Sequence, residues 1–248
     1  MTSREPAWVR NRVLAISAGA WALLLLRPGP IGHCSVAVIG TPSPQSLAML
    51  LAMNPPASLA AGWTLMLVAM MAPALIAPIL HVRLQSFRTR RARAVALFVT
   101  GYVLVWLPAG ALLTAIALAG TFFVGPLALT TTAVAAAAIW QCSPAKQSCL
   151  NRGHTHIALA AFGAEADRDA FRFGVTHAWW CAGSCWALML VPMVVPFAQA
   201  AAMAAAAFLI VSERLDHAVA PQWTCRLSSK LLRLMVAQTR IRVQAMTS

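Results

Sequence analysis

Acidic residues are scarce in this sequence: 6 Asp and Glu stand against 19 Lys and Arg among 248 residues, and charged residues make up only 10% of the chain. A soluble domain carries ~25% charged residues, so this chain has too few to cover a water-exposed surface. The shortage of carboxylates argues against Ca²⁺ and Mg²⁺ sites, which need oxygen ligands. Walker motifs and phosphorylation-type Asp motifs are also missing, so ATP-driven pumping by this chain alone is unsupported.

Apolar residues, by contrast, form 60% of the chain and gather in long runs that do not alternate with polar residues. Backbone in lipid must satisfy its own hydrogen bonds, which leaves helices or closed barrels, and the absence of alternation favours helices. We therefore predict an all-α membrane protein with one bundle of about six transmembrane helices. The predicted spans cover residues 13–26, 59–80, 94–119, 127–140, 174–195 and 197–211.

Basic residues lie at the ends of the apolar runs, and the strongest cluster is the segment 81–93 with five arginines. The positive-inside rule places this segment, the loop 141–173 and the tail 212–248 in the cytoplasm, with both termini inside. Within the tail, residues 227–236 predict a basic amphipathic helix on an anionic inner leaflet. A secretory signal starts like the first run, but no clean cleavage site follows. Basic residues placed this way do not indicate nucleic-acid binding.

A stripe of potential metal ligands recurs at intervals of four along the fifth run: His177, Cys181, Cys185, Met189 and Met193. Residues four apart share a helix face. Thiolate and thioether are soft donors and imidazole is borderline, so the set suits Cu(I) best, with Zn(II) as an alternative at the His-Cys-Cys part. Cys and Met also fill helix interfaces, and packing is the competing interpretation. A disulfide between two cysteines four apart on a helix is disfavoured by its geometry.

The loop after the fourth run contains a second group, Cys142 and Cys149 followed by His154 and His156. Two thiols and two imidazoles so close in sequence predict a metal-capture loop on the same side as His177. Lys146 and Arg152 are expected to help ionise the thiols. A cytosolic location argues against a stable disulfide in this loop.

Methionines elsewhere are weaker candidates. Met66 and Met70 share a face of the second run and are expected to meet the stripe across a helix interface. A more speculative outer group combines residues of the loop 31–56: His33, Cys34, Met49 and Met53.

Three stretches of the chain resemble a bacterial family of predicted metal-binding integral membrane proteins, long listed as DUF2182. They are Trp63 to Pro73, Gln141 to Leu150, and His177 to Met189 with its Cys-Ala-Gly-Ser-Cys core. The resemblance implies copper handling in the bacterial inner membrane. The chain departs from the family pattern at Ser184 and Gly153, where further cysteines often stand.

These features together predict a non-enzymatic membrane protein that binds Cu(I) for trafficking, transport or delivery to a metalloenzyme. His177, Cys181 and Cys185 are the expected primary ligands, and Cys142 and Cys149 are expected to exchange metal at the cytoplasmic face. The lipid bilayer is one partner, a metalloenzyme or metallochaperone another, and self-association is left open. The alternatives are a membrane thiol redox protein and an assembly subunit that binds no metal.

Overall fold

Helices account for nearly all of the apolar sequence in the computed structural model, which describes residues 4–26, 52, 55–196, 198–224 and 237. The helices are α1 (Arg4–Leu26), α2 (Pro56–Met71), α3 (Ile76–Gln85), α4 (Arg91–Val124), α5 (Pro126–Cys142), α6 (Pro144–Gly153), α7 (Gly163–Val194) and α8 (Gln199–Arg214). Within the described residues there is no strand, so the all-helical prediction is confirmed. The tail segment 227–236 and the outer group at His33, Cys34, Met49 and Met53 lie outside the described residues.

Three helical stretches are long and apolar enough to cross a bilayer: Glu5–Leu26, Pro56–Gln85 and Arg91–Val124. The Pro126–Cys142 helix is apolar but shorter. Large apolar side chains of α4, including Leu104, Leu107 and Leu112, point away from the bundle and are exposed. Such an apolar outer surface is compatible with a membrane protein, because lipid is then its solvent.

Several helices extend well beyond the predicted spans. The helix α7 begins at Gly163, whereas the apolar run begins at Gly174, and α1 begins at Arg4 rather than Val13. The length of a helix is set by its backbone hydrogen bonds, whereas hydropathy identifies only the part of it that is apolar enough to lie in a bilayer. The polar first turns of these helices are therefore helical without being apolar.

The second apolar run is interrupted at Pro73. A 3₁₀ turn over Ala72–Leu75 separates α2 from α3. Proline has no N–H to donate, so the carbonyl of Ala69, four residues earlier, loses its helical partner. Two side chains of α1 replace that bond: Ser17 Oγ donates to Ala69 O at 2.7 Å and Trp21 Nε1 at 3.1 Å. The break thereby becomes the docking point for α1.

Ion pairs bring the charged helix ends together at one end of the bundle. Glu5 at the start of α1 contacts Arg83 at 3.0 Å and Arg91 at 2.7 Å. Asp167 in α7 contacts both Arg90 and Arg93 at 2.7 Å. The beginnings of α1, α4 and α7 and the end of α3 therefore share one end, which we call the basic end.

The helices α4 and α7 cross closely because glycine lies at their contact. A Cβ on Gly174 would stand 3.1 Å from the Cα of Phe98 and closer still to the Phe98 carbonyl, and a Cβ on Gly101 would stand 3.0 Å from the backbone N of Val175. Small residues of this kind let helix backbones approach in membranes. This crossing fixes α7, which carries the candidate metal ligands, against α4.

We expect Gly174→Ala to lower the thermal stability of the detergent-purified protein, by roughly 1–3 kcal/mol, because the new methyl group meets backbone that cannot rotate away. Gly19→Ala is the matched control, since a Cβ there meets nothing within 4 Å. That substitution is expected to leave stability unchanged or raise it by up to ~1 kcal/mol through helix propensity. Equal melting temperatures for the two variants would contradict the close crossing.

Candidate metal centre

Two thiols lie side by side in the middle of α7. Cys181 and Cys185 are one helical turn apart, each is 1% exposed, and both are free cysteines. Their side chains lie on the same face of α7. The expectation that they do not form a disulfide is confirmed. Adjacent free thiols in a dry site are the arrangement that a soft metal ion requires.

Polar side chains from two other helices surround the thiol pair. The phenol oxygen of Tyr102 in α4 lies 3.4 Å from Cys181 Sγ. Ser184 Oγ lies 3.3 Å from Cys185 Sγ and donates to the Cys181 carbonyl at 2.9 Å. From the last turn of α8, Arg214 Nη2 donates to Ser184 Oγ at 3.2 Å, which places the guanidinium next to the thiol pair.

His177 lies one turn before Cys181, and its side chain is 6% exposed. Its ring centroid is 5.8 Å from that of Phe173, 6.1 Å from Phe98 and 6.3 Å from Tyr102. It lines a cavity of ≈ 290 Å³ whose wall also includes His154, His156 and Arg214. In the part of the chain that the structure describes, no three His, Cys, Asp or Glu side chains converge on one point. His177 thus borders the thiol pair without completing a preformed three-ligand site.

The four candidate methionines are all buried in the core that contains the two thiols. Met70 and Met189 are 0% exposed, Met193 is 1% and Met66 is 3% exposed. The stripe on α7 therefore faces inward along its length. A buried methionine can be a packing residue or a metal ligand, so the proposed ligand role of these thioethers stays a prediction.

A comparison with known protein families matches residues 60–236, well over half of the chain, to PpoB2, a family described as copper chaperones. The chain belongs to the PpoB2 copper chaperone family. The match covers all three stretches on which the DUF2182 resemblance is based and supports a copper-related family, although not that name. It indicates copper binding and a non-enzymatic role. No curated protein and no solved structure matches the chain.

Cys142 differs from its prediction. The sequence predicts a free thiol, but Cys142 is disulfide-bonded. The expectation was based on a reducing cytosol, where stable disulfides are rare. A sulfur in a disulfide offers no thiolate, so in this state Cys142 is not a donor for copper.

Cys149 is a free cysteine of α6 that packs against α7. Its Sγ lies 2.9 Å from the position of a Cβ on Gly183, so the missing side chain of Gly183 makes room for it. Burial raises the pKa of the Cys149 thiol, although Arg152 and Arg214 act in the opposite direction. Arg152 therefore acts on this pKa in the predicted direction, but the effect of burial is larger.

Lys146 was expected to act on the loop thiols, but it is buried elsewhere. It is 2% exposed and its Nζ lies 2.6 Å from Glu213 Oε1 in α8. Gln141 at the end of α5 is hydrogen-bonded to both side chains. Burial lowers the pKa of Lys146, and the Glu213 carboxylate partly offsets that effect. The hydrogen-bonded side chains of Gln141, Lys146 and Glu213 connect α5, α6 and α8, and Glu213 is adjacent in sequence to Arg214.

Sequence reasoning missed Tyr102, Arg214 and Glu213 as parts of the site. An arginine in the last turn of an apolar helix is typical of an ordinary membrane boundary, and a tyrosine in a span is typical of packing. The available signal was the pair Glu213-Arg214, two adjacent charges at the end of an alanine-rich helix in a chain with few acids.

Proposed function

We propose that this chain is an integral-membrane copper chaperone that holds one Cu(I) between the thiolates of Cys181 and Cys185. The observation that carries the proposal is the pair of buried, free thiols one helical turn apart in the middle of α7. Thiolate is a donor that Cu(I) prefers, and two such donors suffice for a low coordination number. The residues present therefore fit copper as the cargo implied by the family.

In our proposal copper reaches the thiols through the cavity at His177. The cavity wall includes His154, His156 and His177, and the first two belong to the loop predicted to capture metal. Imidazole binds copper with moderate affinity and can release it to a stronger thiolate donor. We infer that His177 passes copper between the cavity and Cys181, and that Cys149 on α6 is an accessory donor.

The thioethers extend the same face beyond the thiol pair. Met189 and Met193 continue the stripe for about 12 Å past Cys185. In our proposal they and the α2 methionines Met66 and Met70 are weaker donors that copper visits only when it leaves the thiols. A low-affinity series of this kind eases release, whereas a single tight site retains the ion.

Copper X-ray absorption on the purified protein, loaded under reducing conditions, tests the site. We expect one Cu(I) per chain with two sulfur neighbours, plus one nitrogen neighbour that disappears in His177→Ala. Met189→Leu with Met193→Leu, which nearly conserves volume, should leave the two-sulfur signal unchanged. A protein that binds no copper, or binds it through oxygen and nitrogen alone, would overturn the proposed site. A loss of sulfur in the double methionine variant would make a thioether a primary ligand.

The six-span topology with both termini in the cytoplasm belongs to the proposal as well. The basic end of the bundle gathers the arginines of 83–93 with the starts of α1 and α7. The positive-inside rule places that end in the cytoplasm. The disulfide at Cys142 favours the opposite orientation, since disulfides persist in oxidising compartments. We retain the charge-based orientation because it depends on many residues rather than one.

Reporter fusions decide the orientation. Fusions after residues 87, 123 and 158 are expected to read inside, outside and inside, because only the first and third positions adjoin basic segments. An outside signal at both 87 and 158 would invert the protein and put the thiol entrance on the outer side. In either orientation the family suggests a copper protein as partner, and we propose delivery to a metalloenzyme or exchange with a soluble metallochaperone.

A further inference from the structure

Arg214 is a cation that lacks a carboxylate partner among the described residues. Its neighbour Glu213 is already paired with Lys146. The Nε and Nη1 atoms of Arg214 are buried and make no hydrogen bond within the described part of the chain. Its third nitrogen, Nη2, donates to Ser184 Oγ, which itself lies 3.3 Å from Cys185 Sγ. An arginine cannot lose its charge in a protein, so this positive charge must be balanced by something nearby.

The chain makes room for this guanidinium at a specific place. A Cβ on Gly153, at the end of α6, would collide with Nη1 of Arg214. The glycine therefore leaves space for the guanidinium beside the thiol pair. The acidic groups near it include the thiols of Cys181, Cys185 and Cys149 and the phenol of Tyr102.

The total charge of the loaded site depends on the valence of the bound metal ion. Metals bind cysteine as thiolate, so the pair contributes −2. Arg214 contributes +1, and His177 as a ligand is neutral. A monovalent ion brings the total to zero, whereas a divalent ion leaves a net +1 in a dry core. Burying a net charge is disfavoured, so the loaded site is more stable with a monovalent ion than with a divalent one.

We propose that Arg214 is the residue that makes this site select monovalent over divalent soft metal ions. The inference depends on the proposed copper site at Cys181 and Cys185. It assigns to Arg214 a selectivity that the sulfur donors do not supply, since thiolates bind Zn(II) and Cd(II) as well as Cu(I). Arg214 acts here through its charge and position and is not itself a ligand.

The test uses Ag(I) and Cd(II), which are both soft and which differ in valence. Both ions compete for the purified full-length protein at equilibrium, and the bound ratio is read by elemental analysis. Arg214→Gln is expected to lower the preference for Ag(I) at least tenfold, because the balancing charge is gone. Arg214→Lys keeps the charge and is expected to keep the preference within about threefold of wild type.

A second pair of variants, at Ser184, tests the same proposal without replacing Arg214. Ser184 Oγ lies 3.2 Å from Arg214 Nη2, so Ser184→Asp would neutralise the guanidinium in place. Ser184→Asp is expected to shift the preference toward Cd(II) as Arg214→Gln does, whereas the uncharged Ser184→Asn is its matched control and is expected to shift it little. This pair keeps the proposal testable if Arg214→Gln fails to fold.

The experiment distinguishes an incorrect role for Arg214 from an incorrect copper site. If wild-type protein binds neither ion through Cys181 and Cys185, the copper site itself is wrong. If wild type binds both ions there and prefers Ag(I), but Ser184→Asp and Ser184→Asn give the same ratio, the site stands and the role of Arg214 is overturned. A tenfold shift confined to the charge-changing variants supports the proposal.

Discussion

Single substitution of Cys181 or Cys185 by Ser is expected to lower the affinity for Cu(I) at least tenfold, which corresponds to ~1.4 kcal/mol. Each change removes one of two thiolates and leaves a hydroxyl, which is a hard and poorly ionised donor. Serine is close to cysteine in size, so the packing of α7 against α4 should persist. Titration against a Cu(I) chelator of known affinity measures the change.

Cys149→Ser is the control for this prediction. Its sulfur contacts α7 at Gly183 rather than at the thiol pair. We therefore expect unchanged equilibrium affinity and, if Cys149 is an accessory donor, slower loading. Unchanged affinity and stoichiometry in a variant lacking both Cys181 and Cys185 would return these residues to a packing role, and the competing interpretation of the stripe as a helix interface would then hold.

The parts of the site that follow from local geometry could be predicted from sequence. The stripe from His177 to Met193 depends only on helical spacing, and the structure buries all five of its residues. Free thiols at Cys181 and Cys185 follow from the same spacing, because a helix holds such residues too far apart for a disulfide. The break at Pro73 likewise depends on a single residue and its missing N–H.

The surroundings of the thiols could not be predicted in the same way. Tyr102 and Arg214 reach the site from α4 and α8, and their approach depends on how whole helices pack. Lys146 was assigned to the loop thiols because it is near them in sequence. In the structure a carboxylate from α8 holds it, since a buried ammonium requires a close partner of opposite charge. Sequence distance says little about which charge lies nearest in a folded bundle.

Hydropathy predicted the helices better than it predicted their ends. The apolar runs all fall within helices over the described residues, but α4 and α7 extend into polar sequence at the basic end. At that end Asp167 of α7 forms an ion pair with Arg90, the residue immediately before α4. Composition therefore locates the lipid-facing stretch, and side-chain pairing determines how far each helix continues.

Glu213→Ala is expected to destabilise the protein by roughly 3–5 kcal/mol, because it leaves the buried Lys146 ammonium without its carboxylate. Lys146 is 2% exposed, so water cannot replace the lost partner. Replacing both residues by apolar ones, as in Lys146→Met with Glu213→Leu, should recover most of the loss. Glu165→Ala is the control, since its ion pair with Arg168 is 3.1 Å long but well exposed and should contribute less than ~1 kcal/mol. Reversible unfolding in mixed detergent micelles measures all three.

The same substitution should change how stability depends on pH. Burial already lowers the pKa of Lys146, and the Glu213 carboxylate opposes that effect, so its removal lowers the pKa further. The folded Glu213→Ala protein would then bind fewer protons at Lys146 than the unfolded chain does at pH values between the lowered pKa of Lys146 and the ordinary lysine pKa. Stability rises with pH wherever the unfolded state binds more protons. We therefore expect the free energy of unfolding of Glu213→Ala to increase more steeply than that of wild type as the pH rises above neutral. Parallel pH profiles would mean that Lys146 finds another partner once Glu213 is gone, and the large loss of stability should then be absent as well.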